Sequence, residues 1–252
     1  MIRILISIIT SLLGVFAFAQ VKSTFTLSQA IHEIEVSSLI KVYVDSQADA
    51  MEIDLAATYP EGLERIKLTQ QGGKLLIRIK NGQKATKGKE LDGIEVRLSQ
   101  RAINKYTITS MANVVVEGTT RVDQAFITLR SMGKLKLDIQ AKEVTLDVAS
   151  QATFSGAIEA EELKAEVASM GKVTVEGTVE DAKIVVTSQA KFLGSQLKVK
   201  RADVSAVSMG KIEVAPVEYL NASALSMAKV IYVTRPIELV VNTSSMGKVK
   251  LR

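Results

Sequence analysis

LKAEVASMGKVTVEG, from Leu163 to Gly177, decides the fold. Every second residue in it is apolar or small: Leu163, Ala165, Val167, Ser169, Gly171, Val173 and Val175. Between them stand Lys164, Glu166, Lys172, Thr174 and Glu176. Successive side chains of a strand point to opposite faces, so this period of two, rich in Val, reads as strand and not helix. The next stretch repeats it with Ile184, Val186, Ser188, Ala190, Phe192 and Gly194.

The four letters at its centre recur along the chain. SMAN begins at Ser110, SMGK at Ser131, SQAT at Ser150, SMGK at Ser169, SQAK at Ser188, SMGK at Ser208, SMAK at Ser226 and SMGK at Ser245. The intervals are 21, 19, 19, 19, 20, 18 and 19 residues. A short, steady period of strand and turn is the mark of a solenoid, here a parallel β-helix with one coil per repeat. Coils stacked about 4.8 Å apart make a rod on the order of 35–40 Å long. One coil alone buries too few aliphatic side chains to offset the entropy of ordering its backbone, so coils must share a core with their neighbours.

Within the word, an unbroken strand predicts Ser and Gly/Ala inward and Met/Gln and Lys outward. A break in that parity at Gly171 and its equivalents is the alternative, because glycine tolerates backbone angles that other residues avoid. SQAD at Ser46 reads as an early, irregular copy of the word.

Three regions follow. Residues 1–19, with Arg3, an apolar stretch from Ile4 to Phe18 and the small-x-small site Ala17-Phe18-Ala19, have the layout of a secretory signal peptide. The apolar run is shorter than the roughly 20 residues of a membrane span, and no second run of that length follows. Residues 20–109 are β-rich but irregular and serve as a cap. Their candidate strands carry Phe25/Leu27, Ile34/Val36, Leu39 to Val44, Met51/Ile53/Leu55, Leu75/Ile77/Ile79 and Ile94/Val96/Leu98. Turns are expected at Tyr59-Pro60-Glu61-Gly62 and Gln71-Gly72-Gly73, and an exposed loop from Asn81 to Lys89. Residues 110–252 are the repetitive coil, continuous with the region before it.

The chain has no Cys, and His32 is its only histidine, so neither disulfides nor Cys or His metal clusters enter the reading and no cofactor is implied. The formal net charge is +5; removing Arg3 with the leader leaves 31 basic side chains against 27 acidic. That balance suits anionic partners without the dense basic patches of nucleic-acid binders.

Ser131-Met132-Gly133-Lys134 and its copies match S-x-x-K, but the S-D-N and K-T-G partners of that nucleophile motif are missing, and a word repeated in nearly every coil is architecture. Asp138, Asp147, Glu166 and Glu176 offer carboxylates, yet nothing pairs two of them as glycoside hydrolysis requires. The last position of the word is the candidate site. Lys134, Lys172, Lys191, Lys211, Lys229 and Lys248 line one edge of the rod as an anion-binding strip for acidic glycans or other surface polyanions. Lysines also solubilise a sheet and discourage edge pairing. Beside them runs a Met/Gln column (Met111, Met132, Gln151, Met170, Gln189, Met209, Met227, Met246), which reads as flexible filler and not as Cu(I) ligands.

Taken together, FTLS at Phe25, IEVSSLIKVYVDSQADAMEIDL at Ile34, LERIKLTQQGGKLLIRIKN at Leu63 and IEVRLSQRAINKYTITSMANVVVEG at Ile94 resemble, with the serial S-x-[GA] turns, the family of auto-transporter adhesins, head GIN domain. The resemblance implies a right-handed parallel β-helix and an exported, periplasmic, envelope or extracellular location. It brings no catalytic residues. The expectation is an exported, non-enzymatic, adhesin-like binding protein. The alternatives are a structural protein that self-associates through its C-terminal edge and, behind that, a polysaccharide lyase or hydrolase.

Overall fold

The computed structural model describes residues 21–80 and 93–252. The signal peptide read at 1–19 and the loop read from Asn81 to Lys89 lie outside the described residues. Strand β1 (Val21–Thr26) runs antiparallel to β4 (Glu52–Ala57), and between them β2 (Glu33–Val36) and β3 (Lys41–Asp45) form the legs of a first coil. Where a turn was expected at Tyr59, the chain makes the short helix α1 (Pro60–Arg65). Pro60 opens it, at a position where the absent N–H loses no hydrogen bond. A strand that the alternation did not reveal, β5 (Ile66–Gln71), then folds back antiparallel on β6 (Lys74–Ile79).

Two parallel layers flank the first coil. On one side β6 stacks on β2, and β7 (Glu95–Ser99) on β3. On the other, β8 (Lys105–Ile108) stacks on β2, and β9 (Asn113–Arg121) on β3. Beyond β8 and β9 the coils become regular: β10 (Gln124–Leu129), then the bent strands β11 (Lys134–Val148), β12 (Thr153–Val167), β13 (Lys172–Val186), β14 (Lys191–Ala206) and β15 (Lys211–Leu225), all parallel. The last coil is built from β16 (Lys229–Tyr232), β17 (Glu238–Ser244) and β18 (Lys248–Leu251). The result is an all-β parallel solenoid of about eight turns with the 19-residue spacing read from the sequence. Among the described residues no helix is long and apolar enough to cross a membrane.

Each long strand has two legs. In β11, Leu135, Leu137 and Ile139 are buried before the bend, and Val144, Leu146 and Val148 after it. The step from 139 to 144 is odd, so the inward parity switches where the coil turns. The stacked residues form columns, and one of them runs Leu135, Phe154, Val173, Phe192, Ile212, Val230. Phenylalanine alternates with aliphatic residues from Leu135 to Ile212, and each Phe is followed two residues later by a glycine. Gly156 faces Val175 and Gly194 faces Val214 in the next coil. The Phe192 ring takes the missing volume: a Cβ on Gly194 would lie 2.8 Å from its Cε1. The small position of the word alternates too, as Ala112, Gly133, Ala152, Gly171, Ala190, Gly210, Ala228, Gly247. In the middle of the rod, therefore, the coils of Phe154 and Phe192 carry a large and a very small residue where the coils after them carry two of middle size, Val173/Val175 and Ile212/Val214.

Candidate functional site

The repeated word forms a tight corner, and its geometry differs from the unbroken strand expected of it. Ser169 and Met170 both have positive φ, 47° and 62°, and the Gly171 N–H donates to the Ala168 carbonyl at 2.8 Å. Positive φ at both central residues with this closing bond is the pattern of a type I′ turn. All eight copies repeat it, with Ser between 47° and 55° and Met or Gln between 62° and 65°. The parity break therefore falls on Ser and Met and not on the glycine, and Ser points outward with Met. Only the Gly/Ala position faces the core, where Ala112, Ala152, Ala190 and Ala228 are fully buried.

Left-handed backbone disfavours non-glycine residues by about 1–2 kcal/mol each. Stacking offsets it. The Met132 N–H donates to the Ser150 carbonyl at 2.9 Å, the Gln151 N–H to Ser169 at 3.0 Å, and the series continues to Met227 and Ser245. A corner repeated in register thus satisfies donors that a single corner would leave to water.

SQAD at Ser46 is not a copy of this corner. Ser46 is buried, with its hydroxyl donating to the Glu117 carbonyl at 2.8 Å. The corner of the first coil is Ser37-Ser38-Leu39-Ile40, because Val36 stands over Ile108 and Lys41 over Asn113. Ser38 has φ 71°. The letters Ser38-Leu39-Ile40-Lys41 keep the S-x-x-K spacing, which was the available signal; Leu in place of Met and Ile in place of Gly concealed it.

The lysines follow the corner directly, each fixed by its backbone. Lys172 N–H donates to the Ala152 carbonyl, Lys191 to Gly171, Lys211 to Ala190, Lys229 to Gly210 and Lys248 to Ala228, all at 2.9–3.0 Å. The column in register runs Lys41, Asn113, Lys134, Thr153, Lys172, Lys191, Lys211, Lys229, Lys248. Of the six predicted positions, five are consecutive and Thr153 separates Lys134 from them. Lys41, outside the repeats, joins the same line. Two residues further along the leg a second outward column carries Lys136, Ser155, Thr174, Leu193, Glu213, Ile231 and Lys250. Near the C-terminal end, Lys211, Lys229, Ile231, Lys248 and Lys250 line a shallow groove of about 440 Å³.

The other leg has opposite electrostatics. There Glu143, Glu162 and Asp181 stack in one column and Asp147 and Glu166 in another. Cations on that side meet carboxylates: Lys164 Nζ lies 2.9 Å from Glu143 Oε1, Lys200 Nζ lies 3.1 Å from Glu180 Oε2, and Arg201 grips Asp181 through both oxygens. The Arg201 guanidinium holds the Asp181 carboxyl below its usual range, and Lys164 does the same for Glu143. In the lysine column only Lys211 has an ion-pair partner among the described residues, Glu213 at 2.7 Å. Five like charges in direct register disfavour the sheet, and no carboxylate within the column neutralises them.

The carboxylates considered for hydrolysis are dispersed. Asp138 Oδ1 accepts from the Ala157 N–H at 2.8 Å and clamps an irregular stretch of backbone, while Asp147 is paired with Arg130 on the other leg. The Met/Gln column runs along the ridge between the two legs, and its methionines are 43–73 % exposed, so they stand out of the corner and do not fill it.

The sequence profile of the family described as "Putative auto-transporter adhesin, head GIN domain" matches residues 30–236. The chain belongs to that family. Several solved structures share this fold. A "putative lipid binding protein" from Parabacteroides distasonis is 17 % identical with a TM-score of 0.81, covering 92 % of this chain and 96 % of its own. A "putative adhesin" from the same organism is 15 % identical at TM-score 0.82, covering 93 % and 97 %. Another from Parabacteroides merdae is 14 % identical at 0.80, covering 92 % and 96 %. None of the curated proteins matches the sequence.

Proposed function

We propose that this head GIN domain protein is an exported, non-enzymatic, adhesin-like module of the cell envelope or surface that binds acidic polymers through its lysine column. One observation carries the reading: Lys172, Lys191, Lys211, Lys229 and Lys248 stack in consecutive coils, with no acidic residue between them in the column. A solubilising role would be met as well by lysines alternating with acids, as on the other leg. The adhesin description of the family supports a surface role.

An array of glycans and polyanions, probed at low and at physiological salt, tests it. Selective binding should weaken as salt rises and disappear when the six lysines are changed to Gln. Equal binding by the Lys-to-Gln protein would sink the proposal, and so would an array on which nothing binds.

A second reading, self-association through the C-terminal edge, has its own support. Leu239 and Val241 stand in register with the buried Leu220 and Ala222, yet are 41 % and 46 % exposed, because no further coil covers them among the described residues. On the other leg, Val249 and Leu251 of β18 likewise end the columns of Val230 and Tyr232. Open strand edges above an apolar interior are templates for pairing with a second copy. Sedimentation across a concentration series should show a dimer, and Val241→Lys should return it to monomer; a monomer at every concentration refutes it.

A further inference from the structure

The register of the lysine column also speaks to the chemistry of its ligand. We infer that the site takes a linear polysaccharide carrying one carboxylate on each sugar, lying parallel to the rod axis. The inference rests on the polyanion reading above and adds the class of polymer.

The first argument is spacing. The five lysines repeat once per coil, about 4.8 Å along a straight line. A sugar ring with its linkage advances a chain by about that same strand spacing, so an extended polyuronate offers one carboxylate per lysine. Duplex DNA fits worse: the phosphates of each strand rise only about 3.4 Å along the helix axis per step and wind away from a straight line. Carboxylates that alternate sides along the glycan remain within reach, since the ammonium group sits on a flexible four-carbon stem with three rotatable donors.

The second argument is the floor. Leu193 and Ile231 occupy outward positions two residues from Lys191 and Lys229, in a column where soluble strands usually carry polar side chains. Ile231 lines the groove together with Lys211, Lys229, Lys248 and Lys250. Apolar patches beside a cationic row match a ring that presents C–H faces along with its carboxylate; a bare phosphate chain has no such face.

The third is Glu213, which stands in that second column between Leu193 and Ile231 with 9 % exposure. It holds Lys211 at 2.7 Å, and Arg252 Nη1 lies 4.0 Å from its other oxygen. An acid at the middle of the run both occupies one lysine and repels the polymer. Removing its charge while keeping its shape should therefore strengthen binding, a gain that a merely destabilised protein would not show.

The test titrates the purified chain with a length series of oligogalacturonates, their methyl esters, polyphosphate and duplex DNA, all at one salt concentration. Affinity for the free-acid oligomers should climb until the oligomer matches the lysine run and then level off. Lys191→Gln and Lys229→Gln should each weaken it about two- to fivefold, as expected for exposed ion pairs. Glu213→Gln should tighten it by a similar factor. Polyphosphate or duplex DNA binding as tightly as the uronates would overturn the class of ligand and leave the cationic-face reading standing, whereas uncharged methyl esters binding like the acids would overturn both. No binding to any of these polyanions would remove both.

Discussion

Gly171→Val is expected to lower the stability of the rod by about 3 kcal/mol, the upper range for overpacking a tight core. For a chain of this size that corresponds to a fall in Tm of roughly 6–12 °C. A Cβ on Gly171 would lie 2.6 Å from the Val148 carbonyl oxygen and 2.9 Å from that of Ala168. Both are backbone atoms, held in the ladder of the preceding coil and in the corner itself, so neither can swing aside as a side chain can. Gly133 and Gly210 meet the Ile108 and Val186 carbonyls at 2.5 and 2.6 Å, so the same contact recurs in each glycine-bearing coil. Gly171→Ala should cost less, because the adjoining coils hold Ala152 and Ala190 at the equivalent place. Thermal unfolding of the two variants gives the answer. An unchanged Tm for the Val variant would mean that the corner can open toward solvent.

Phe192→Ala should cost about 3–5 kcal/mol, as deletion of a buried ring typically does, and lower Tm by roughly 6–20 °C. The ring is fully buried between Val173 and Ile212. The paired substitution is the sharper experiment. Phe192→Val leaves a void beside Gly194, and Gly194→Ala places a methyl where the ring now sits. If the two residues exchange volume as the neighbouring pairs Val173/Val175 and Ile212/Val214 suggest, the double variant should be more stable than the sum of its parts by about 1–2 kcal/mol. A cycle that sums to zero would show that Phe192 and Gly194 do not share one volume.

Much of this architecture is legible in the sequence. Alternation at Leu163 to Val175 identified strands, and the steady interval between the words identified coils, because both follow from how backbone and side chains repeat along one chain. The columns of Lys and Met could be named from their place in the word, and Lys41 was missed only because its corner is spelled SLIK. The corner itself was not legible. Ser-Met is an unusual filling for a turn with two positive φ values, and nothing in either residue announces one. The hydrogen bonds from each Met or Gln N–H to the Ser carbonyl of the next coil make it tolerable, and those bonds exist only when coils are stacked. The helix at Pro60 and strand β5 escaped for a related reason, since near the end of the stack antiparallel partners, and not the repeat, set the local structure.

By itself the sequence determined that the chain coils, how often, and which residue types recur at each position of a coil. Only the tertiary structure decided which residues face one another across coils. Register is a relation between segments nineteen residues apart, fixed by backbone ladders and by the volumes that meet inside them. It set Phe against Val and Ile, Gly against backbone carbonyl, and five lysines in an unbroken line that no carboxylate of the same column neutralises.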